Sequence, residues 1–285
     1  MANTIDWGKA SVNNTNGYGK GAIDNTIRWG KIYESSASGD TNIGTATTPS
    51  FSNTKSIVFD GIDMYVETQS TYSELNGQNK ATFSAWINPT ATNVLGVILH
   101  TPRNTGASDS QFQILIDNAN RLRFNIQDTG THIFSNTGVF TAGSWSHILV
   151  CYDGSSSAPS NSPQRGQIFI DGIDQTSVVN LNITSLPTST GELSIGEHSQ
   201  GFWNPFSGKM DEVAIWSGTD LRNDVATLYN SGVPNDLNNN GLTAPTSWYR
   251  FEEGSGTTIS DSGSSTNNAV IENPNAVNFS TDVPT

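Results

Sequence analysis

The sequence predicts an all-β protein, folded as a two-sheet antiparallel sandwich. Three observations predict it: short runs of alternating residues rich in Val, Ile, Phe, Tyr and Thr, turn residues between the runs, and almost no helical periodicity. The runs are KSIVFDG (55–61), MYVET (64–68), ATFSAWINP (81–89, with Lys80 before it), VLGVILHT (94–101), QFQILID (111–117), RLRFNIQ (121–127), WSHILVCYD (145–153), GQIFIDG (166–172), ELSIG (192–196) and KMDEVAIWSG (209–218). In QFQILID, Phe112, Ile114 and Ile116 share one face while Gln111, Gln113 and Leu115 share the other, so only the first face is expected to be fully apolar. Asp117-Asn118-Ala119-Asn120 and Asp171-Gly172 carry hairpin turn chemistry, which joins neighbouring runs into an antiparallel meander.

One short helix is expected in TDLRNDVATLYNSG (219–232). Thr219 or Asp220 can cap it, Leu221, Val225, Leu228 and Tyr229 recur at helical spacing, and Gly232 can end it. It would lie as a lid on the sandwich. After a polar connector (233–246) the chain closes with SWYRFEEGSGTTISDSGSSTNNAVIENP.

In front of the sandwich stands a repeat of eleven residues, in three rows: NTIDWGKASVN (3–13), NTNGYGKGAID (14–24) and NTIRWGKIYES (25–35). Gly and Asn in every row rule out a helix. Three such rows cannot enclose a core, so Trp7, Tyr18 and Trp29 must be buried on the sandwich, on another copy or on another protein. A small-residue linker follows, ESSASGDTNIGTATTPS. Residues 1–45 are therefore read as an anchor and linker, and residues 46–285 as the sandwich, completed by residues 246–272.

Composition narrows the partners. Of 285 residues only 14% are charged, and the net charge of −13 leaves 13 scattered Lys and Arg. A phosphate-binding surface needs these residues clustered, so nucleic acid is excluded. No stretch approaches 18 apolar residues, which argues against membrane insertion, and MANTIDWGKASVNN lacks the apolar region of a signal peptide. Synthesis in a cytoplasm, without conventional export, is the expectation. The one cysteine, Cys151, lies inside HILVCY and is expected in the core, so no intrachain disulfide is available.

Taken together, IVFDGIDMYVET, ATFSAWINP, SWSHILVCYD, GQIFIDGIDQ, LSIGEH, FSGKMDEVAIWSGTDLRNDVATLYNSG and WYRFEEGSGTTISDSGSSTNNAVI resemble a laminin-G-like jelly roll of the concanavalin A-like lectin/glucanase class, over roughly residues 55–272. The last of these segments usually opens the domain in that family and here closes it. The resemblance therefore implies that Trp248 to Ile271 pair back beside the first strand, as in a circular permutation.

Catalysis is not expected. A glucanase on this fold needs two converging carboxylates, and no Glu-x-Asp-x-x-Glu stripe occurs. Asp211-Glu212 and Glu252-Glu253 are adjacent pairs, which in a regular strand point to opposite faces. His100, His132, His147 and His198 lack metal-ligand spacing. The resemblance implies a structural Ca²⁺, which takes oxygen ligands from Asp- and Asn-rich loops, and points to Asp211 and Asp261, with Asp60 or Asp63 contributing. Glycan binding would rest on loop aromatics, for which Trp203 and Phe206 of GEHSQGFWNPFSG are the best pair. Trp86, Trp145, Trp216 and Trp248 lie in strand patterns and are expected in the core.

An N-terminal anchor, a linker and a lectin-like sandwich resemble phage virion proteins, in particular marine tailed-phage proteins that begin with WGK-type repeats. That resemblance implies a homo-oligomeric tail fibre, tail appendage or capsid decoration, docked on other virion proteins through Trp7, Tyr18 and Trp29 and displaying its jelly roll to a host-surface glycan. The alternative is a free bacterial carbohydrate-binding or adhesion module.

Overall fold

The computed structural model describes residues 51–103, 110–127, 130–197 and 204–285, together with the backbone of a short antiparallel pair, β1 (Ile27–Arg28) and β2 (Lys31–Ile32). Residues 1–50 and 51–285 are separate compact units. The second unit holds β3 (Ser56–Asp60), β4 (Tyr65–Thr68), β5 (Lys80–Pro89), β6 (Gly96–Pro102), β7 (Ser110–Ile116), β8 (Leu122–Ile126), β9 (Thr131–Ser135) and β10 (Ser146–Asp153). It continues with β11 (Gly166–Ile170), β12 (Ile173–Asp174), β13 (Thr176–Asn180), β14 (Ser194–Ile195) and β15 (Ser207–Ser217), and after the helix with β16 (Ser247–Tyr249), β17 (Thr258–Ile259), β18 (Ala269–Glu272) and β19 (Phe279–Ser280). Each of the ten predicted runs overlaps one of these strands.

Two antiparallel sheets face each other. One has the order β12-β11-β10-β5-β15-β3-β19, with β16 also paired to β15; the other runs β13-β9-β8-β7-β6-β14-β4-β18-β17. The main core lies between them, where alternate residues such as Phe83, Ala85 and Ile87 of β5 meet Phe112, Ile114 and Ile116 of β7. A second cluster covers the outer face of the eight-stranded sheet, where Leu149, Cys151, Trp216 and Trp248 lie against Leu221, Val225 and Leu228. Burial pushes the Cys151 thiol pKa up, which leaves it an unreactive core residue.

Local chemistry accounts for the connections. At Asp171-Gly172 both residues have positive φ (50° and 77°), as a two-residue primed turn requires, and Ile170 pairs with Ile173 across it. Between β7 and β8, Asp117 Oδ1 accepts from the N–H groups of Ala119 and Arg121 while Asn120 takes φ 55°.

Three expectations change. The helix, α1 (Val225–Tyr229), is shorter than predicted and begins at Asp224, because Asp220 turns back to accept from Arg222 instead of starting a helix. The second face of β7 is buried as well: Gln111 accepts from Thr101 and donates to Asn76 Oδ1 and Pro187 O, so its amide goes inside without an unpaired atom. Trp145 is not core; its half-buried ring donates Nε1–H to Asp282.

The C-terminal segment is threaded through both sheets. β16 pairs with β15, β18 pairs with β4, and β19 pairs with β3, the first strand of the sandwich. Among the described residues no helix is long and apolar enough to cross a membrane.

Candidate functional site

At one rim of the sandwich lies a cleft of about 310 Å³. Pro89, Thr90 and Ala91 from the end of β5, and Val94, Leu95 and Gly96 before β6, form one side. Asn204 to Ser207 form the other, with Gly61 and Ile116 closing it. Backbone bonds fix these walls: Val97 N–H donates to Asn204 O at 3.1 Å, Thr90 N–H to Ser207 O at 3.0 Å, and the Thr90 and Ser207 hydroxyls meet at 2.7 Å. Gly208 makes the close approach possible. Its φ is +147°, and a Cβ there would lie 2.2 Å from Asn88 O. The lining is mostly apolar, with Thr90, Asn204 and Ser207 as its polar groups, the usual make-up of a small ligand site.

Of the predicted glycan pair, Phe206 lines the cleft but is not an exposed loop aromatic. It is 1% exposed and meets Phe59 edge-on at 6.2 Å, because the bridge from Val97 to Pro205 turns its ring into the main core. Trp203 lies outside the described residues, as do Trp7, Tyr18 and Trp29; in sequence Trp203 directly precedes the cleft residue Asn204.

Of the four aspartates, Asp211 and Asp261 accept from different sets of partners, while Asp60 and Asp63 share one turn, where the Asp63 N–H donates to Asp60 Oδ1. Asp261 is buried in its loop, where its oxygens accept from the N–H groups of Trp248, Gly263 and Asn267 and from the Ser265 hydroxyl. Asp60 Oδ1 accepts from the N–H of Ile62 at 2.8 Å in the β3–β4 turn, and its Oδ2 from Asn275. Asp63 sits in the same turn, beside Glu197, whose carboxyl is pushed up to about 6 by burial and then by the charges of Asp63, Glu67 and Asp60. Among the described residues no three His, Cys, Asp or Glu are grouped to hold a metal. Chelating divalent cations tests a calcium site here: a fall of several degrees in melting temperature would support a cation in these loops, and a shift of less than about 1 °C would argue against one.

Asp211 and Glu212 hold a finding that strand alternation does not give. The register of β15 slips between Asp211 and Ala214, Glu212 takes φ 51°, and Met210 and Val213 both enter the main core. Two residues instead of one are thus left for the outer face, so the adjacent carboxylates lie together, contrary to the opposite-face expectation. Glu212 Oε2 accepts from Trp248 Nε1 at 2.5 Å and Oε1 from Arg250 Nε at 3.3 Å. Asp211 accepts from Asn53 Nδ2 and from the Glu212 N–H, both at 2.9 Å. With exposures of 0% and 3% the pair has no open side for a substrate.

Around this pair the first residues of the sandwich are clamped down. Phe51 stacks on Trp248, Arg250 lies over the Phe51 ring at 4.5 Å and donates to Ser52 O, and Glu252 accepts from the N–H groups of Thr54 and Lys55.

The outer face of the nine-stranded sheet carries a basic and aromatic group. On β8 and β9, Arg123 lies over the Phe134 ring at 4.6 Å and Arg121 at 4.8 Å, while His132 stacks on Phe134 at 4.1 Å. Burial, then Arg123 and Arg121, hold the His132 pKa below its usual value.

A laminin G family model, described as the concanavalin A-like lectin/glucanases superfamily, matches residues 60–226. Among solved structures the fold is similar to a candidate carbohydrate-binding protein from Bacteroides ovatus (TM-score 0.58, 19% identity, covering 82% of this chain and 62% of that one). It is also similar to the native heptameric SAP-like pentraxin from Limulus polyphemus (TM-score 0.50, 14% identity, covering 77% of this chain and 94% of that one). A third is the extracellular region of zebrafish Gpr126/Adgrg6 (TM-score 0.51, 13% identity, 81% and 26%). The chain thus spans under two thirds of the Bacteroides ovatus protein. No curated protein matches it. With the matched segment running from the end of β3 into α1, across the strands that build both sheets, this chain belongs to the concanavalin A-like lectin/glucanase superfamily.

Proposed function

We propose that this chain is a non-catalytic carbohydrate-binding protein whose ligand enters the cleft between Pro89–Gly96 and Asn204–Ser207. The single observation that carries the reading is the lining of that cleft: among the described residues, apolar walls with one amide and two hydroxyls, and no Asp, Glu, His or Cys. Glycoside hydrolysis needs two carboxyl groups across the scissile bond, and the lining supplies neither. A sugar ring offers an apolar face to such walls and hydroxyls to Thr90, Asn204 and Ser207. Trp203, next in sequence to Asn204, is assigned the stacking role.

The test is a glycan array on the full chain, followed by titration of the best neutral ligand. Trp203→Ala is expected to weaken that ligand at least about tenfold, the loss of one stacking contact of roughly 1.4 kcal/mol or more, at an unchanged melting temperature. A chain that binds no glycan on a broad array, or a Trp203→Ala protein of unaltered affinity, would overturn the reading.

The repeat favours a finer reading. Three aromatics that a 33-residue segment cannot bury by itself suit a docking element, so the chain is proposed as a homo-oligomeric virion structural protein, a tail fibre, tail appendage or capsid decoration, with the sandwich turned to a host-surface glycan. Mass spectrometry of purified particles separates this from a free bacterial adhesion module, which would be missing from them. A structural Ca²⁺ held by the Asp-rich loops is part of the proposal, and the chelation experiment tests it.

A further inference from the structure

We propose that Arg123 receives the oxyanion, a carboxylate or a sulfate, of an acidic saccharide on the outer face of the nine-stranded sheet, a second site apart from the cleft. Arg123 stands inside the sheet, not at its edge: its Cα partners are Leu115 on β7 and Phe134 on β9. Both neighbours are apolar and Leu115 is fully buried, so the guanidinium is partly stripped of water; burial lowers its pKa against the opposing charge of Asp117. Its orientation is set by the Phe134 ring 4.6 Å away, which is itself backed by His132.

What Arg123 lacks among the described residues is a carboxylate in direct contact; Asp117 acts on it only through space. Arg121, the other cation over Phe134, is neutralised by Asp117, with Nη2 at 2.7 Å and Nε at 2.9 Å from the same carboxylate oxygen. Among the described residues Arg123 has no ion pair and no hydrogen bond, and its Nε is buried without a partner. A chain with 26 acidic residues against 13 basic ones has carboxylates to spare, yet among the described residues none is in contact with this half-buried guanidinium. An unpaired, partly desolvated cation costs stability, and a planar oxyanion accepting from its fork of N–H groups removes that cost. His132 beside it, neutral at pH 7, can exchange a hydrogen bond with a sugar hydroxyl.

The experiment is calorimetric titration of the full chain with a galacturonic acid trimer, a sulfated galactose trimer and the uncharged galactose trimer. At least one acidic trimer is expected to bind about tenfold or more tighter than the neutral one, and more weakly at about 0.5 M salt. Arg123→Gln should remove this preference at an unchanged melting temperature, and Arg123→Lys should restore only part of it. A rise in the His132 pKa on binding, followed by NMR, would place the anion beside the ring. Which acidic trimer binds identifies the oxyanion. Equal binding of the neutral trimer, no binding of either acidic one, or an Arg123→Gln protein that keeps its preference would overturn the proposal. The cleft is read separately, since Arg123→Gln leaves binding of the neutral ligand there intact and Trp203→Ala leaves the acidic preference intact.

Discussion

A chain truncated after residue 245 is expected to show no cooperative unfolding transition. The missing residues are not a tail. Trp248, Tyr249, Phe251, Ile259 and Ile271 are all buried, Tyr249, Phe251 and Ile259 completely. At about 1.5–3 kcal/mol for each large apolar side chain, their burial amounts to roughly 10 kcal/mol, comparable to the whole stability of a domain. The truncation also strips partners from both sheets at once, exposing β4 and β3 as open edges where β18 and β19 were paired. Glu212 would lose Trp248 and Arg250 in the same step, leaving its buried carboxylate without donors. Circular dichroism during heating checks this; a truncated protein that melts at the wild-type temperature would show that the C-terminal strands are ornamental.

Stability is expected to fall as pH rises from about 4 to 9, and Asp211→Asn to reverse much of that fall. Burial, and then the neighbouring Glu212, push the Asp211 carboxyl up to about 9; burial pushes Glu212 up to about 8 against the opposing pull of Arg250 and Trp248. Glu212, which faces Arg250, gives up its proton before Asp211, which keeps its own at neutral pH. The folded protein therefore holds protons that the unfolded chain has released above its ordinary carboxylate pKa near 4. Stability from this source is complete below that value and is lost as pH climbs toward the folded values. An asparagine cannot ionise, so Asp211→Asn should match the wild type below about pH 4 and exceed it at pH 9 by at least about 1.4 kcal/mol, or about 3 °C in melting temperature. Melting curves across this range decide it; a variant that loses stability at every pH would mean that Asp211 is charged in the fold.

Much of this fold was legible because its determinants are local. Asp171-Gly172 and Asp117 to Asn120 dictate their turns through backbone preferences of single residues, and the alternation in ATFSAWINP reports a face directly. What was not legible depends on distant partners. Gln111 and Gln113 read as a solvent face, and only the loops that supply Asn76 and Pro187 make burial of Gln111 affordable. The opposite-face argument for Asp211 and Glu212 assumed a regular strand, and the register slip against β5 is invisible in KMDEVAIWSG itself. Phe206 read as a loop aromatic because nothing in NPFSG announces the bridge from Val97 to Pro205. Arg123 carried no signal at all, since the lack of a carboxylate in contact is a property of the folded surroundings.

The clamp on Phe51 to Lys55 has a mechanical meaning. Any pull arriving from residues before Phe51 enters the sandwich there, where Phe51 stacking, Arg250 to Ser52, Asn53 to Asp211 and Glu252 to Thr54 and Lys55 hold the strand at successive residues. The sandwich side of that grip comes from β15 and from the C-terminal segment, which is itself sewn into both sheets. Tension applied at the start of the domain is thus shared with its end, so the first strand cannot be peeled away without also drawing on the last.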